Sequence, residues 1–310
     1  MAIFDVVMTA PSLAAPAVAL LEQAGCTVHY MPPYPSVEAV AALAGQVQAH
    51  AILTRQGPVM AVAMDASPRL RIIARHGVGV DDVDLAAAAA RGILVTRAPG
   101  SNTQAVAEHT LAVILALAKD LRPLSAAIAE GRWRDGAPAV RDVAGMRLGL
   151  IGYGPIGQAT GRLAEAIGMR VTAYSPDREG TLQDLLATSD ALSLHCPLTP
   201  QTYHLIDAAA LAALPRGAIV INTARGGLVD EPALLAALDS GHIAGAALDV
   251  FEGEPPAADH PLRRHPRVIV TPHMAGVTAG SLVAMGVMAA ECIVAALTGA
   301  PVPPDRIVSA

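Results

Sequence analysis

The sequence predicts an α/β protein in which parallel strands alternate with covering helices. Short apolar runs of strand length recur along the 310 residues, and stretches of helical character separate them. Hydrophobic residues make up 53% of the chain and aromatic residues only 3%, so the core must consist mainly of Ala, Val, Leu and Ile. That mixture suits strands that are buried on both faces. The length is sufficient for two domains.

Five strands are predicted in the first third of the chain, at residues 3–8, 28–30, 51–54, 72–74 and 93–95. The separations leave room for helices between them, which predicts βαβ units and a parallel sheet. The first of these helices, "APAVALLEQAG", ends in Gly25, and glycine is the residue type most favoured just after a helix.

The segment "SNTQAVAEHTLAVILALAKDLRP" interrupts this pattern. It opens with cap-type residues, is apolar on nearly every side and is expected to end before Pro123. A helix of this kind is buried, here between two domains or two subunits.

Six further strands are predicted at residues 148–151, 171–173, 191–195, 219–222, 246–250 and 268–271. Six strands with crossovers is the number found in a doubly wound dinucleotide-binding fold. The last apolar stretch, "SLVAMGVMAAECIVAALTG", predicts one long helix. Because the second sheet is already complete, that helix is free to return to the first domain.

Charge and cysteine content exclude several classes of protein. The net charge is −6 and the 21 basic residues are dispersed, which argues against a nucleic-acid or acidic-membrane partner. The run "TLAVILALA" is too short to span a bilayer. Cys26, Cys196 and Cys292 are odd in number and widely spaced, so we expect no metal site and no disulfide framework. With no signal-peptide pattern at the start, these features predict a cytoplasmic protein.

The stretch "LIGYGPIGQATG" has the Gly-x-Gly-x-x-Gly spacing of a phosphate-binding turn. Gly152 would allow the tight turn, Gly154 the close approach of a pyrophosphate, and Gly157 the packing of helix on strand. The motif follows a predicted strand and opens a helix, which is the required context, although such a turn also occurs by chance. It predicts a Rossmann-type cofactor domain.

Polar side chains follow the later strands, where open α/β sheets place their ligands. They are Arg225 in "INTARGGLVDE", Asp249 and Glu254 in "ALDVFEGEPP", and His273 in "VTPHMAG". Taken singly, each is more often an ordinary surface or loop side chain than a catalytic one. Taken together, an imidazole that exchanges a proton, a carboxylate that orients it and a guanidinium that holds a substrate carboxylate form a reaction mechanism.

These blocks, with "ARHGVGVDDVDL", "HCPLTPQTYHLID" and "NTARGGLVDEPALLAAL" in the same order, resemble the D-isomer-specific 2-hydroxyacid dehydrogenases over essentially the whole chain. The resemblance implies a flavodoxin-like substrate domain at 1–98 and 284–310. It also implies a Rossmann doubly wound cofactor domain, residues 99–283, inserted between them. NAD or NADP is the implied cofactor and a homodimer the implied assembly, with the helix near Glu108 and the region of Trp133 at the contact. Trp133 is equally compatible with a core position.

The same resemblance assigns roles to individual residues. Arg225, Glu254 and His273 match the catalytic residues. The loop His76, Gly77, Val78 and Gly79 matches the one whose amides hold the substrate carboxylate. Asp249 matches the acid that faces the nicotinamide amide. The implied cofactor-binding residues are Gly152, Gly154, Pro155, Ile156, Gly157, Ser175, Arg178, His195, Cys196, Pro197, Thr202, Thr223, Ala224, Asp249, Ala275 and Gly276.

One position departs from the family. The segment "AYSPDR" places Ser175 where relatives usually have the acid that binds the ribose 2′-hydroxyl of NAD. Without that acid a 2′-phosphate is no longer repelled, and Arg178 is close enough in sequence to bind one. Asp177 could replace the missing acid. The sequence therefore leaves NAD and NADP open.

The substrate is also left open between two classes. Arg55 and Arg75 end two strands of the first domain, as do arginines that hold the substrate phosphate in phosphoglycerate dehydrogenases, and they favour a similarly anionic 2-oxoacid. If they only pair with surface acids, a hydroxypyruvate or glyoxylate reductase is the alternative. A dinucleotide-sensing, corepressor-like binding protein is the alternative of another class, and it is disfavoured because we expect no recruiting extension. Glu254 argues against a formate dehydrogenase, which has glutamine there.

Overall fold

The computed structural model describes residues 3–134 and 139–308. The chain forms two compact units. The first unit runs to Asn102 and resumes at Val277, and the second unit is continuous from Thr103 to Gly276. Each unit is built around its own parallel sheet.

The sheet of the first unit has the strand order β2-β1-β3-β4-β5 and is parallel throughout. This is the order of flavodoxin-like folds, as expected. Its strands are β1 (Phe4–Met8), β2 (Cys26–Tyr30), β3 (Ala51–Thr54), β4 (Ile72–Arg75) and β5 (Leu94–Thr96). All five coincide with the predicted apolar runs, because a strand covered on both faces must be apolar on both faces.

The sheet of the second unit has the order β11-β10-β9-β8-β6-β7 and is also parallel. The strands are β6 (Arg147–Ile151), β7 (Arg170–Tyr174), β8 (Ala191–Leu194), β9 (Ala218–Asn222), β10 (Ile243–Leu248) and β11 (Val268–Val270). The doubly wound arrangement is confirmed. One strand lies on one side of β6 and four on the other, whereas the 3-2-1-4-5-6 order would place two strands on the shorter side. The direction of winding reverses between β6 and β8, and this switch point is where such sheets bind ligands.

Twelve α-helices connect and cover the strands in the described residues. They are α1 (Ala15–Gln23), α2 (Val37–Val47), α3 (Ala61–Ala66), α4 (Leu85–Ala90), α5 (Thr103–Ala118), α6 (Leu121–Ala129), α7 (Pro155–Ala166), α8 (Leu182–Thr188), α9 (Ala208–Ala213), α10 (Glu231–Asp239), α11 (Pro261–Arg264) and α12 (Ala279–Thr298). As expected, Gly25 follows α1 with a left-handed φ of 78°.

The interrupting helix ends before Pro123, as expected, but the proline is not what ends it. Helix α5 ends at Ala118, the chain turns at Asp120 with a φ of 50°, and α6 then begins at Leu121. Pro123 therefore lies in the first turn of a new helix, where a proline costs nothing because the N–H groups of that turn have no partner within the helix.

Helix α12 is long and apolar enough to cross a membrane by composition alone. In the protein it is a core helix of the first unit. Ala289, Ala290 and Ile293 are buried in the same cluster as Ala17 and Leu21 of α1. A Cβ on Gly286 would lie 3.3 Å from the Cβ of Ala17, so the two helices approach closely at a residue without a side chain.

Candidate active site

The glycine-rich turn after β6 is shaped by close backbone contacts. Gly152 has a φ of 93°, and a Cβ there would lie 2.6 Å from the carbonyl carbon of His195. A Cβ on Gly157 would lie 2.3 Å from the carbonyl oxygen of Gly152. Neither position can carry a side chain without moving backbone, so these two glycines bring the turn, the start of α7 and the end of β8 together.

Gly154, the second glycine of the motif, faces open space. Helix α7 follows Gly154 directly and has Pro155 as its first residue, with Ile156 next. No side chain caps this N-terminus, and no atom lies within 4 Å of a Cβ built on Gly154. The first N–H groups of a twelve-residue helix are thus left for an anion. The turn fits the pyrophosphate of a dinucleotide.

The segment after β8 forms an uncharged wall next to this turn. His195 donates its backbone N–H to Ile151 O at 2.7 Å, and its Nε2 lies 3.0 Å from Ser193 Oγ. Burial lowers the pKa of His195 to about 4 and raises the pKa of Cys196 to about 11, so both are neutral at physiological pH. Thr202 Oγ1 donates to Pro197 O at 2.8 Å and closes the loop.

Ser175, after β7, is bonded to the neighbouring acid. Its hydroxyl donates to the carboxylate of Asp177, and this bond, followed by a backbone hydrogen bond, lowers the pKa of Asp177. The guanidinium of Arg178 lies over the ring of Tyr153, 4.4 Å from its centre. The carboxylate of Asp177 and the guanidinium of Arg178 therefore both lie close in sequence to the end of β7.

At the end of β9 an asparagine fixes the backbone that carries Arg225. Asn222 Nδ2 donates to Arg225 O at 2.8 Å, and Asn222 Oδ1 accepts from Ala224 N at 3.1 Å. Thr223 Oγ1 lies 3.3 Å from Thr110 Oγ1 on α5. A Cβ on Gly226 would lie 1.9 Å from the carbonyl carbon of Phe251, so the segment after β10 rests directly on the residue after Arg225.

Asp249, at the end of β10, holds the segment that follows β11. It is 2% exposed, and its carboxylate accepts from Thr271 Oγ1 at 2.5 Å, Met274 N at 2.7 Å and Ala275 N at 2.7 Å. Gly276 comes next along the chain and completes the predicted set. Sequence reasoning missed this contact of Asp249, because the acid and its donors are more than twenty residues apart.

The structure brings His273 and Glu254 together. His273 Nδ1 lies 2.7 Å from Glu254 Oε2, and Glu254 Oε1 accepts from Phe251 N at 3.1 Å. Burial by itself would raise the pKa of Glu254. The hydrogen bond and charge of His273, the Phe251 N–H and the charge of Arg225 outweigh it, and the net pKa is lowered. Glu254 is thus a carboxylate beside an imidazole, with a guanidinium in electrostatic range.

In the first unit, Arg55 directly follows β3, and Arg75 is the last residue of the neighbouring strand β4. Arg75 NH1 donates to Asp82 Oδ2 at 2.5 Å and to Arg55 O at 3.2 Å. His76 is 5% exposed, and burial, followed by the charge of Arg55, lowers its pKa to about 4. Gly77 follows with a φ of 150°, a conformation that favours glycine, and Val78 and Gly79 are partly buried.

Comparison with known proteins shows which protein family the chain resembles. Residues 111–275 match the family described as D-isomer specific 2-hydroxyacid dehydrogenase, NAD binding domain. The chain is 42% identical over 273 residues to D-3-phosphoglycerate dehydrogenase of Mycobacterium bovis, covering 84% of this chain and 52% of that protein. It is 38% identical over 265 residues to glyoxylate reductase of Korarchaeum cryptofilum, covering 81% and 80%.

The fold is similar to that of solved relatives. The crystal structure of the TT0316 protein from Thermus thermophilus superposes with a TM-score of 0.89 at 37% identity, covering 98% of this chain and 100% of that one. The chain spans about half the length of the phosphoglycerate dehydrogenases it matches.

Proposed function

The chain belongs to the D-isomer specific 2-hydroxyacid dehydrogenase family, and from that premise we propose that it is an oxidoreductase that interconverts a 2-hydroxy acid and its 2-oxoacid. The observation that carries the proposal is the 2.7 Å contact between His273 and Glu254. It places a proton carrier beside a carboxylate in the NAD-binding unit, with Arg225 close enough to influence the pKa of Glu254.

The chain's own residues supply proton transfer and orientation. A bound nicotinamide cofactor supplies the hydride chemistry. In reduction His273 donates a proton to the substrate's carbonyl oxygen, and in oxidation it accepts the hydroxyl proton. Glu254 orients the imidazole through Nδ1, which leaves Nε2 for the substrate. Arg225 binds the substrate carboxylate through its guanidinium.

The test is a panel of 2-oxoacids assayed by the oxidation of NADH and NADPH with purified protein. We expect turnover of at least one 2-oxoacid. If no 2-oxoacid turns over while the protein still binds NADH, the chain is a dinucleotide-sensing binding protein and the proposal is wrong.

For the cofactor we propose that NADH and NADPH are both used, and two contacts support this with opposite effects. Asp177 beside Ser175 offers a carboxylate for a ribose 2′-hydroxyl, and Arg178 offers a cation for a 2′-phosphate. Ser175→Asp should lower kcat/KM for NADPH and leave NADH intact or improved. Arg178→Ala should weaken NADPH more than NADH. If the wild type is thousands-fold selective for NADH, Asp177 does the work of the missing acid and Ser175 does not relax selectivity.

For the substrate we propose an anionic 2-oxoacid of the phosphohydroxypyruvate type, with Arg55 and Arg75 binding the second anionic group. The adjacent ends of β3 and β4 support this, since two cations close together attract an anion. Arg55→Ala should abolish the preference for phosphohydroxypyruvate over glyoxylate and spare glyoxylate. Arg91→Ala, which removes an arginine paired with Asp65 on the surface, is the matched control.

A small-acid reductase is the second candidate, and a specific contact favours it. Asp82 already holds Arg75 with a hydrogen bond of 2.5 Å, which reduces the positive charge available to a substrate. In that case the wild type prefers glyoxylate or hydroxypyruvate, and Arg55→Ala changes neither rate.

We also propose a cytoplasmic homodimer. Trp133 is 74% exposed, so the alternative that it is a core residue is wrong, and Leu121, Ile128 and Val140 are exposed as well. These four apolar side chains support an interface in this region of the second unit. Light scattering on the purified protein should give twice the chain mass, and Trp133→Ser should lower it. A monomer at micromolar concentration would contradict the proposal.

A further inference from the structure

The carboxylate that meets His273 is carried by a segment without regular structure. Residues 251–260 form neither helix nor strand, and Glu254 lies in this loop. A loop that places a side chain within hydrogen-bond distance of its partner needs contacts that fix the loop itself. Glu231, a residue that the proposed mechanism does not use, makes such contacts.

Glu231 binds both ends of the loop. It is the first residue of α10 and is only 9% exposed. Its Oε1 accepts from Glu252 N at 3.0 Å, and its Oε2 lies 2.9 Å from His260 Nε2. One carboxylate on a helix thus ties the residue two before Glu254 to the residue six after it. The position at the N-terminus of α10 also favours a negative charge.

His260 completes the contact as a hydrogen-bond donor. Its Nδ1 is buried and has no hydrogen-bond partner in the described part of the chain. The tautomer with the proton on Nε2 therefore leaves no N–H unpaired and donates to Glu231. The ring also packs edge-on against Phe251, 5.3 Å between ring centres, and Phe251 N is the donor to Glu254.

A second set of contacts fixes the same loop from its exposed side. The Tyr203 hydroxyl donates to Glu252 Oε1 at 2.5 Å, and His204 Nε2 lies 3.2 Å from Glu252 Oε2. The Tyr203 and His204 rings stack with their centres 4.0 Å apart. These side chains are more exposed than Glu231, and water can replace such contacts at little cost. The buried contacts of Glu231 are the stronger restraint.

We propose that Glu231 and His260 are positioning residues that fix the 251–260 loop so that Glu254 meets His273. The contacts described above support the positioning. Its consequence for catalysis rests on the proposed function. Loss of the Glu231 contacts releases Glu252 and His260 together. The hydrogen bond of 2.7 Å between Glu254 and His273 is then formed less often, and the His273 imidazole loses its orientation.

The charged groups that face Glu254 come from two neighbouring segments. His273 belongs to the segment after β11 and Arg225 to the segment after β9, and both lower the Glu254 pKa. Asp249 is directed at Thr271, Met274 and Ala275. The pKa of Glu254 therefore reports its distance from His273, and it rises towards the ordinary value if the loop moves away.

The first experiment needs no turnover. Protein labelled with ¹³C-glutamate is titrated by NMR, and the Glu254 carboxyl signal is assigned as the one missing from Glu254→Gln. We expect Glu231→Ala and His260→Phe to raise the Glu254 titration midpoint. His260→Phe keeps the ring packed on Phe251 and so separates the hydrogen bond from the packing. An unmoved midpoint in both folded variants would overturn the proposal.

The second experiment measures kcat and KM for the best 2-oxoacid. Both variants should lose a few-fold in kcat, at most the roughly fivefold expected when the Glu254 carboxylate itself is lost, and change KM less. Added to Glu254→Gln, Glu231→Ala should have little further effect on kcat, because the group it positions is already absent. If the losses in kcat caused by Glu231→Ala and by Glu254→Gln add in full in the double variant, Glu231 does not act through Glu254 and its role is merely structural.

The matched control is Asp239→Ala, at the other end of α10. Asp239 also pairs with a histidine, His265 at 3.4 Å, which lies outside the 251–260 loop. The Asp239→Ala variant should leave the Glu254 titration midpoint and kcat unchanged. If the wild type turns over no 2-oxoacid and the midpoint still moves in Glu231→Ala, the proposed function fails and the positioning contact stands.

Discussion

Two histidines at equivalent places in the two units differ in their chemistry. His76 directly follows β4, and His273 lies three residues after β11, so each is at the carboxyl end of a parallel strand. His76 is 5% exposed, with Arg55 and Arg75 near, whereas the side chain of His273 is 52% exposed and meets Glu254. Burial and positive charge keep the His76 ring neutral, whereas the Glu254 carboxylate is a hydrogen-bond partner that orients the His273 ring. The position in the fold therefore does not decide what a histidine does; its neighbours decide it.

The largest expected effect is on catalysis. His273→Ala should lower the rate of 2-oxoacid reduction by about 100-fold or more, because a positioned acid contributes at least that much. His76→Gln should change the same rate far less, since a ring with a pKa of about 4 carries no proton at neutral pH. Steady-state assays at neutral pH decide this, and near-normal activity in His273→Ala would remove the basis of the comparison.

The next effect is on stability. The pKa of His76 is lowered by folding from 6.5 to about 4, so the unfolded chain binds the proton more tightly. Its stabilising contribution is complete above pH 6.5 and is lost as the pH falls towards 4. At about 1.36 kcal/mol per unit the loss is on the order of 3 kcal/mol. His195, with the same lowered pKa, adds a similar loss.

Urea unfolding of wild type and His76→Gln at a series of pH values measures this. The variant should lose less stability than the wild type between pH 6.5 and 4, whatever its stability at neutral pH. Parallel curves would show that His76 takes up its proton equally in the folded and unfolded chain.

A smaller effect concerns the carboxylate partner. Glu254 Oε2 lies 2.7 Å from His273 Nδ1 and orients the imidazole. Glu254→Gln should therefore lower the rate of 2-oxoacid reduction roughly fivefold, since a half-exposed pair is worth on the order of 1 kcal/mol. Steady-state kcat at neutral pH measures this, and an unchanged rate would contradict the pairing.

The smallest effect is on His76 itself. Burial is the larger cause of its lowered pKa and the charge of Arg55 the next. Arg55→Met should raise the His76 pKa only part of the way to 6.5, and NMR titration of the imidazole measures it. A full return to the ordinary value would mean that charge rather than burial keeps this ring neutral.

All eleven strands could be predicted from the sequence, because a parallel strand covered on both faces is a continuous apolar run. The break between α5 and α6 could not, since Pro123 is equally compatible with the end of one helix and the first turn of the next.

In the candidate site, too, some residues could be predicted from local sequence and others could not. Gly152, Gly154 and Gly157 follow a local spacing that one segment determines. The contact between Glu231 and His260 joins residues 29 positions apart, and no local pattern indicates it. Gly226 was also missed, although a glycine directly after a polar strand-end residue is a signal of close backbone approach.

The return of α12 to the first unit has a consequence for synthesis on the ribosome. Strands β1–β5 emerge early, but the helix that buries Ala17 and Leu21 emerges only after the whole second unit. Since domains fold as units during translation, the second unit can fold while one face of the first sheet still lacks its cover. During that interval the apolar residues that α12 covers in the folded protein are still exposed.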